Sequence, residues 1–520
     1  MTPRYFSLAA RAGLLLLLLA GCAETTPTSE RSQFLNPPAM ERTLAQSGTG
    51  KSAKVDAIWP ESDWWRRFHS PELDRMIEKG LADNPNLKKA FERLREAEAI
   101  AKVEGAPLTP FLNMDLGMRQ SRIPNHGVVA SYNPNLAGLE KTMAYINPLG
   151  LTYQFDFWGK NQAALDAALG QAAAQQAQAE EARLLLTTSL SRVYFRIRAL
   201  SRQVEVARNL TKLRREVLAL AQTRYRTGID TQDGVTQAAA DVETSVKREA
   251  GVQALLAMQQ DLAARLMGEG PDAGRGIIGA QRMTQPAPLL LPKHLPVEML
   301  ARRPDLAAAM NRAEAAAERI HVAKAEFLPS LDLTIAGGFE ASRSSPLIDD
   351  LGKYLFRGSA IGYVVNPNIH LPIFHGGSLQ GALEERRSEY DEAVDSYNET
   401  LLEAAQQVAD SLANLKQTRA QADAQRRLVD AKRAELGLAV SRWRSGLRDK
   451  RELLAESHVL LEQVYYLEML DADDLVANVD LIQALGGGYE NDAVAARPRP
   501  APEQDSLTPI VETIESLGGG

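Results

Sequence analysis

Few residues in this 520-residue sequence have types and spacing suited to covalent or metal chemistry. There is one cysteine, Cys22, and there are seven histidines. His370 and His375 flank Leu371-Pro372-Ile373-Phe374, and the proline between them spoils the geometry two imidazoles need to share a zinc ion. No Ser/His/Asp grouping lies on a recognisable nucleophile elbow. Ala45-Gln46-Ser47-Gly48-Thr49-Gly50-Lys51-Ser52 has the outline of a relaxed phosphate-binding loop. No apolar strand leads into it and Trp59-Pro60 blocks a following helix, so it is a chance match. What remains is charge. Asp230 and Asp233 follow Gly228, and Glu452 and Glu456 follow Gly446, with Arg444, Arg448 and Arg451 close by. Copies of an acid gathered around an axis repel one another unless they bind a cation, pair with a base or move apart, so they can constrict an opening. Taken singly, each is also what a solvated, charge-mixed turn carries.

Cys22 is a candidate of another kind. Arg4 and Arg11 precede the apolar run Leu14 to Leu19, too short to span a bilayer but right for an export signal. The run closes on Leu19-Ala20-Gly21-Cys22, which resembles a bacterial lipobox. In lipoproteins with this motif the cysteine sulfur becomes a thioether to diacylglycerol and the new N-terminus is acylated, an anchor of several chains. The bland alternative is a small apolar residue at the end of an uncleaved leader. Ala23, rather than Asp, follows the cysteine, which in lipoproteins favours the outer membrane. Net charge, at −7, gives no basic surface for nucleic acid. The mature chain has no disulfide and no apolar stretch long enough for a helical span.

The elements that must position these groups come in duplicate, displaced by about 218 residues. Asn84-Pro85-Asn86-Leu87 returns as Arg303-Pro304-Asp305-Leu306, each opening a helix. Pro110-Phe111-Leu112-Asn113-Met114 returns as Pro329-Ser330-Leu331-Asp332-Leu333, each opening an alternating stretch. Phe157-Trp158-Gly159 returns as Phe374-His375-Gly376 ahead of a very long helix, and Arg224-Tyr225-Arg226-Thr227-Gly228-Ile229 as Arg442-Trp443-Arg444-Ser445-Gly446-Leu447 at a reversal. Each unit reads helix, strand, loop, strand, long helix, tight turn, long helix. The first unit covers 57–275, with strands at about 109–120 and 145–157 and a helical hairpin over 159–267. The second covers 276–485, with strands at about 329–340 and 359–374 and a hairpin over 377–485. Residues 1–21 read as signal peptide, 22–56 as a lipid-anchored linker and 486–520 as a disordered tail.

The long helices run for about 65 residues, on the order of 100 Å. Leu186, Leu190, Val193, Ile197, Leu200 and Val204 step in fours and threes, a coiled-coil seam, and Leu401, Ala405, Val408, Leu412 and Leu415 do likewise. Alanine density over Ala163 to Ala182 fits a wall of closely approaching helices or plain helix propensity equally well. Four strands per chain are too few to close a barrel, and strands in lipid cannot leave their edges unpaired. Three copies would supply about twelve, within the range of closed transmembrane barrels.

Trp64-x-x-x-Phe68-x-x-Pro71-x-Leu73, Arg302-Arg303-Pro304-Asp305-Leu306, Ala325-x-Phe327-x-Pro329-Ser330-Leu331 and Pro372-Ile373-Phe374-x-Gly376-Gly377, with the lipobox, carry a resemblance. The chain resembles the outer membrane factor family of TolC-like efflux proteins, in its NodT-type lipoprotein branch serving resistance-nodulation-division (RND) pumps, over about residues 57 to 485. Trp158, within Phe155-Asp156-Phe157-Trp158-Gly159, stands where the family commonly has another residue.

The resemblance implies a homotrimer, mainly α, whose twelve-stranded outer-membrane β-barrel continues into a long periplasmic helical barrel, with a small mixed equatorial domain. It implies a periplasmic adaptor and an inner-membrane RND-type transporter as partners, outer-membrane lipid around it, and no enzymatic activity, cofactor or metal beyond the lipid on Cys22. It places the reversals at the periplasmic end, so that Thr227, Gly228, Ser445 and Gly446 are adaptor-docking turns. Glu452 and Glu456, then Asp233 and Asp230, with Arg448 as a brace, are the aperture candidates. The expected function is the exit duct of a tripartite efflux pump. A duct for type I protein secretion, or a non-conducting lipoprotein bridging membrane and periplasm, are the alternatives.

Overall fold

The structure, a computed structural model, describes residues 31–47, 59–277, 279, 286, 302–343 and 355–490. Cys22 and the leader lie outside the described residues, as does most of the tail.

A short helix α1 (Glu41–Ser47) and a 3-10 turn (Trp64–Phe68) precede α2 (Pro71–Asp83) and α3 (Pro85–Gly105). Strands β1 (Phe111–Arg122) and β2 (Glu140–Phe155) follow, then the hairpin of α4 (Lys160–Arg226) and α5 (Gln232–Leu266). The second unit repeats the order with α6 (Pro304–Ala325), β3 (Ser330–Arg343), β4 (Ile361–His370), α7 (Ser378–Arg444) and α8 (Lys450–Ala484). One-turn helices at Val128–Tyr132 and Pro271–Gly274 fill connections.

Both outgoing helices are 67 residues long and both return arms 35. At 1.5 Å per residue that is about 100 Å against about 50 Å. The rest of each outgoing helix packs against other elements: α3 and α6 lie along α4, and α6 also meets α7. All six seam residues from Leu186 to Val204 are buried; Leu401, Val408 and Leu412 are buried, with Ala405 and Leu415 half-buried against the same core. The alanine density of α4 is explained by packing. Ala167, Ala174 and Ala177 are buried where α6 offers Ala307, Ala308 and Ala315, and a Cβ on Gly170 would sit 3.0 Å from that of Ala315.

The duplicated Asn84-Pro85 and Arg303-Pro304 prove to be the same joint. Asn84 caps α3, accepting from Asn86 N at 2.9 Å and Leu87 N at 3.0 Å, while its Nδ2 donates to Leu266 O at the end of α5. Arg303 takes the corresponding post, donating Nη1 to Ala484 O at 2.7 Å and gripping Asp305 and Gln407. Just past each arm a glycine turns left-handed, Gly268 at φ 78° and Gly486 at φ 87°, and a Cβ there would collide with the carbonyl of Asp83 or Arg302. Only glycine supplies both the angle and the close approach.

The sheet order is β1-β2-β3-β4, all antiparallel. Asn147-Pro148 in the central strand β2 fall where the register slips toward both neighbours, a bulge that accommodates a proline lacking its N–H. Among the described residues β1 and β4 are the two free edges. Every residue of β4, and every residue of β1 except Gly117, is exposed.

Two expectations are corrected. Residues 31–47, read as linker, pack: Met40 and Leu44 join the core, Phe34 meets Tyr397 edge-on, and Asn398 bonds Leu35 N and Gln33 O, each at 2.8 Å. Three apolar anchors among polar residues are too few to show as a periodic pattern. The first five residues read as tail, 486–490, also pack, with Tyr489 against Ala177, Ala307 and Ala308. At the waist, where the 3-10 turn and α2 lie against α4, the core is Trp64, Trp65, Phe68, Leu73 and Phe195. There Ser70 Oγ donates to Tyr194 Oη at 2.9 Å, Tyr194 donates to Glu72 at 3.0 Å, and burial pushes the Tyr194 hydroxyl up to about 12. No described helix is long and apolar enough to cross a membrane.

Candidate functional site at the helical tips

The two reversals are built alike. Gly228 N donates to Tyr225 O at 3.0 Å and Ile229 N to Arg224 O at 2.9 Å; Gly446 N donates to Trp443 O and Leu447 N to Arg442 O at the same distances. This is the Schellman ending, which needs a left-handed residue at its fifth position. Gly228 at φ 74° and Gly446 at φ 70° supply it, and nothing lies within 4 Å of where a Cβ would be. Thr227 and Ser445 sit one residue earlier and donate their hydroxyls back to Thr223 O and Ser441 O. Apolar surface stays uncovered on both tips, with Ile229 65% and Leu447 74% exposed.

The charged residues divide into two groups. Asp230 Oδ1 accepts from Thr231 N at 3.0 Å and its Oδ2 lies 3.2 Å from Arg224 Nε. The backbone donor and then the guanidinium hold the Asp230 carboxyl below the usual carboxylate range. Asp449 caps α8, accepting from Arg451 N at 2.7 Å, and pairs with Arg451 Nε at 2.8 Å. That backbone bond, then the arginine, lower its pKa too. Both acids therefore stay ionised far below neutral pH, and what they contribute is lost only as pH falls through their depressed values. Arg224 also reaches Asp449, at 3.6 Å, so one guanidinium links the reversal of the first repeat to the cap of the second.

The other candidates are more loosely held. Glu452 pairs with Arg448 at 3.2 Å one turn away on the same segment. Glu456, a turn further on, is half-buried and interacts electrostatically with Lys432 of α7. Asp233 is exposed in the first turn of α5, where its charge favours the helix dipole. The structure thus brings Asp230 together with Arg224 and Asp449, two residues absent from the sequence-based set, and Arg448 together with Glu452. Position 449 could have been found as an aspartate at a helix start; the cross-repeat reach of Arg224 could not.

Behind the tip, between α4 and α8, lies a cavity of about 330 Å³ lined by Val217, Leu220, Leu454 and Val459, with Arg224 and Arg451 also in its wall. No group of three or more potential metal ligands occurs among the described residues. His375 instead meets the Phe327 ring edge-on at 5.9 Å. The arrangement holds the two helical hairpins together through charge, and no nucleophile stands poised against a base among these tip residues.

The family model described as "Outer membrane efflux protein" matches residues 76–268 and 295–487, one stretch per repeat. The fusaric acid resistance protein FusA of Burkholderia cepacia is 32% identical over 71% of this chain and 67% of its own length. The multidrug resistance outer membrane protein MdtQ of Escherichia coli O6:H1 is 30% identical over 92% of this chain and 97% of its own. Among solved structures, the outer membrane protein VceC of Vibrio cholerae superposes with a TM-score of 0.71 at 30% identity, covering 83% of this chain and all of that one.

Proposed function

The chain belongs to the outer membrane efflux protein family, and from that premise we propose that it is the outer-membrane exit duct of a tripartite efflux pump in a Gram-negative bacterium, passively conducting small molecules. The observation that carries the reading is the open sheet. Four strands end in two free edges, β1 and β4, and an unpaired edge cannot stand in lipid. Pairing β1 of one copy with β4 of the next removes every edge at once, and three copies give about twelve strands. The six hairpins then stand as one wall around a shared lumen.

The tips are the end that opens and docks. Thr227 and Gly228, with Ser445 and Gly446, present the uncovered Ile229 and Leu447 to a periplasmic adaptor and an inner-membrane RND-type transporter. Glu452, Glu456, Asp230, Asp233 and Arg448 constrain the aperture, and Arg224 with Asp449 ties its two halves. Cys22 carries the diacylglycerol and acyl chains that seat the molecule on the outer membrane, and the passage of cargo asks no covalent chemistry of the protein.

The lipidated protein, purified as a trimer in detergent and placed in planar bilayers, should show single-channel conductance. Glu452→Ala combined with Glu456→Ala should raise the resting conductance. Unchanged conductance in that variant would remove these two acids from the aperture, and no conductance at all would favour the bridging lipoprotein.

A further inference from the structure

Between the tip and the waist the two repeats of one chain meet along α4, α5 and α8. Nearest the waist the contact is apolar, with Leu200, Val204 and Val252 against Tyr465 and Met469. Nearest the tip the cavity separates them. In between stands a cluster of five ionisable side chains from three helices. Arg214 of α4 pairs with Asp241 of α5 at 3.2 Å and donates Nη2 toward His458 Nε2 of α8 at 2.8 Å. Arg248 of α5 pairs with Glu462 of α8 at 2.5 Å, and Glu462 lies 3.8 Å from the same His458 nitrogen. Arg214, Arg248, Asp241 and Glu462 are the charged groups acting on His458, from α4, α5 and α8 itself.

We propose that His458 is an acid-released latch between the two hairpins, closed while its Nε2 is unprotonated and accepting from Arg214. A guanidinium has no lone pair, so the 2.8 Å contact requires a bare imidazole nitrogen and the tautomer with its proton on Nδ1. With His458 neutral, two positive and two negative partners balance. A proton on Nε2 abolishes the acceptor, sets a cation against Arg214 and gives Glu462 a new partner on its own helix. As Glu462 turns to His458 it leaves Arg248. One proton thereby loosens both of these links from the first repeat to α8; beyond them toward the tip lie the cavity, which Arg214 and His458 also line, and the exposed Arg224–Asp449 pair.

The direction of the pH effect follows from burial. Desolvation, and then Arg214, hold the pKa of His458 below its ordinary value in the closed arrangement. Parting the hairpins returns the ring to water and its affinity for the proton rises. The open arrangement therefore binds more protons, and falling pH favours it. This latch rests on the duct reading only for its consequence, a wider aperture; the parting of the hairpins is measurable by itself.

The test uses the full lipidated trimer in lipid, with spin labels on Arg226→Cys and Arg444→Cys and parallel bilayer recordings, at about pH 7.5 and about pH 5. The label distance should lengthen in acid and conductance should rise by about twofold or more. His458→Gln keeps an acceptor for Arg214 and cannot titrate, so it should hold the short distance at both values. His458→Lys keeps a positive charge and should show the long distance at both. A wild-type distance indifferent to pH, or an acid response that survives in His458→Gln, would overturn the latch. Silence in the bilayer at every pH would instead overturn the duct, and the labels would still decide the latch.

Discussion

Gly228 and Gly446 show how a single residue type fixes the far end of this molecule. Open space surrounds both, so an added methyl clashes with nothing and the cost of Gly228→Ala is purely one of backbone angle. A left-handed residue with a Cβ costs roughly 1–2 kcal/mol, so thermal melts should show hairpin ends that fray at lower temperature with the waist unaffected. Cys22 makes a separate demand: palmitate labelling of the wild-type chain should vanish in Cys22→Ser, and persisting label would remove the anchor. The turn glycines and flanking acids were legible in the sequence because reversal and capping are local events. Arg224 to Asp449 was not, because the partners stand 225 positions apart (449 − 224) and only tertiary packing brings them together.

The long helices were legible as elements because their seams keep step with the helical repeat for many turns. Leu190 sits at 0% exposure on that seam, against Gly80, whose added Cβ would lie 2.6 Å from a Leu190 methyl. Leu190→Ala should leave a void costing about 2–5 kcal/mol, read as a lower denaturant midpoint at unchanged slope. Strand ends were less legible than strand existence. β2 begins at Glu140, ahead of the expected 145, because pairing with β1 extends into residues whose composition reads as loop. The proline inside β2 argues against a central strand until the bulge that absorbs it is seen.

For the molecule as a whole, the duplicated landmarks carried the architecture and left open how the halves lock. Asn84 and Arg303 look unrelated in sequence, yet each reaches the last carbonyl of a return arm, and only the structure shows that they are one joint. Assembly makes its own prediction. The apolar row Leu112, Met114, Leu116 and Met118 on β1 is uncovered in the single chain, and the proposed barrel would turn it toward lipid. Leu116→Arg should cost about 2–4 kcal/mol if it lies near the bilayer midplane. Trimers of this variant should fail to insert into liposomes while its helical circular dichroism stays intact; normal insertion would turn that row away from lipid.

The unequal lengths of outgoing and return helices have a mechanical consequence. Over its upper stretch α4 is flanked by α3 and α6, while toward the tip it has only the return arms beside it. A rod clamped along one half and merely yoked along the other bends where the clamp ends. The pivot of any tip movement then lies tens of ångströms above the tip itself, and a slight flexure there is magnified by the lever arm into a large displacement of the mouth.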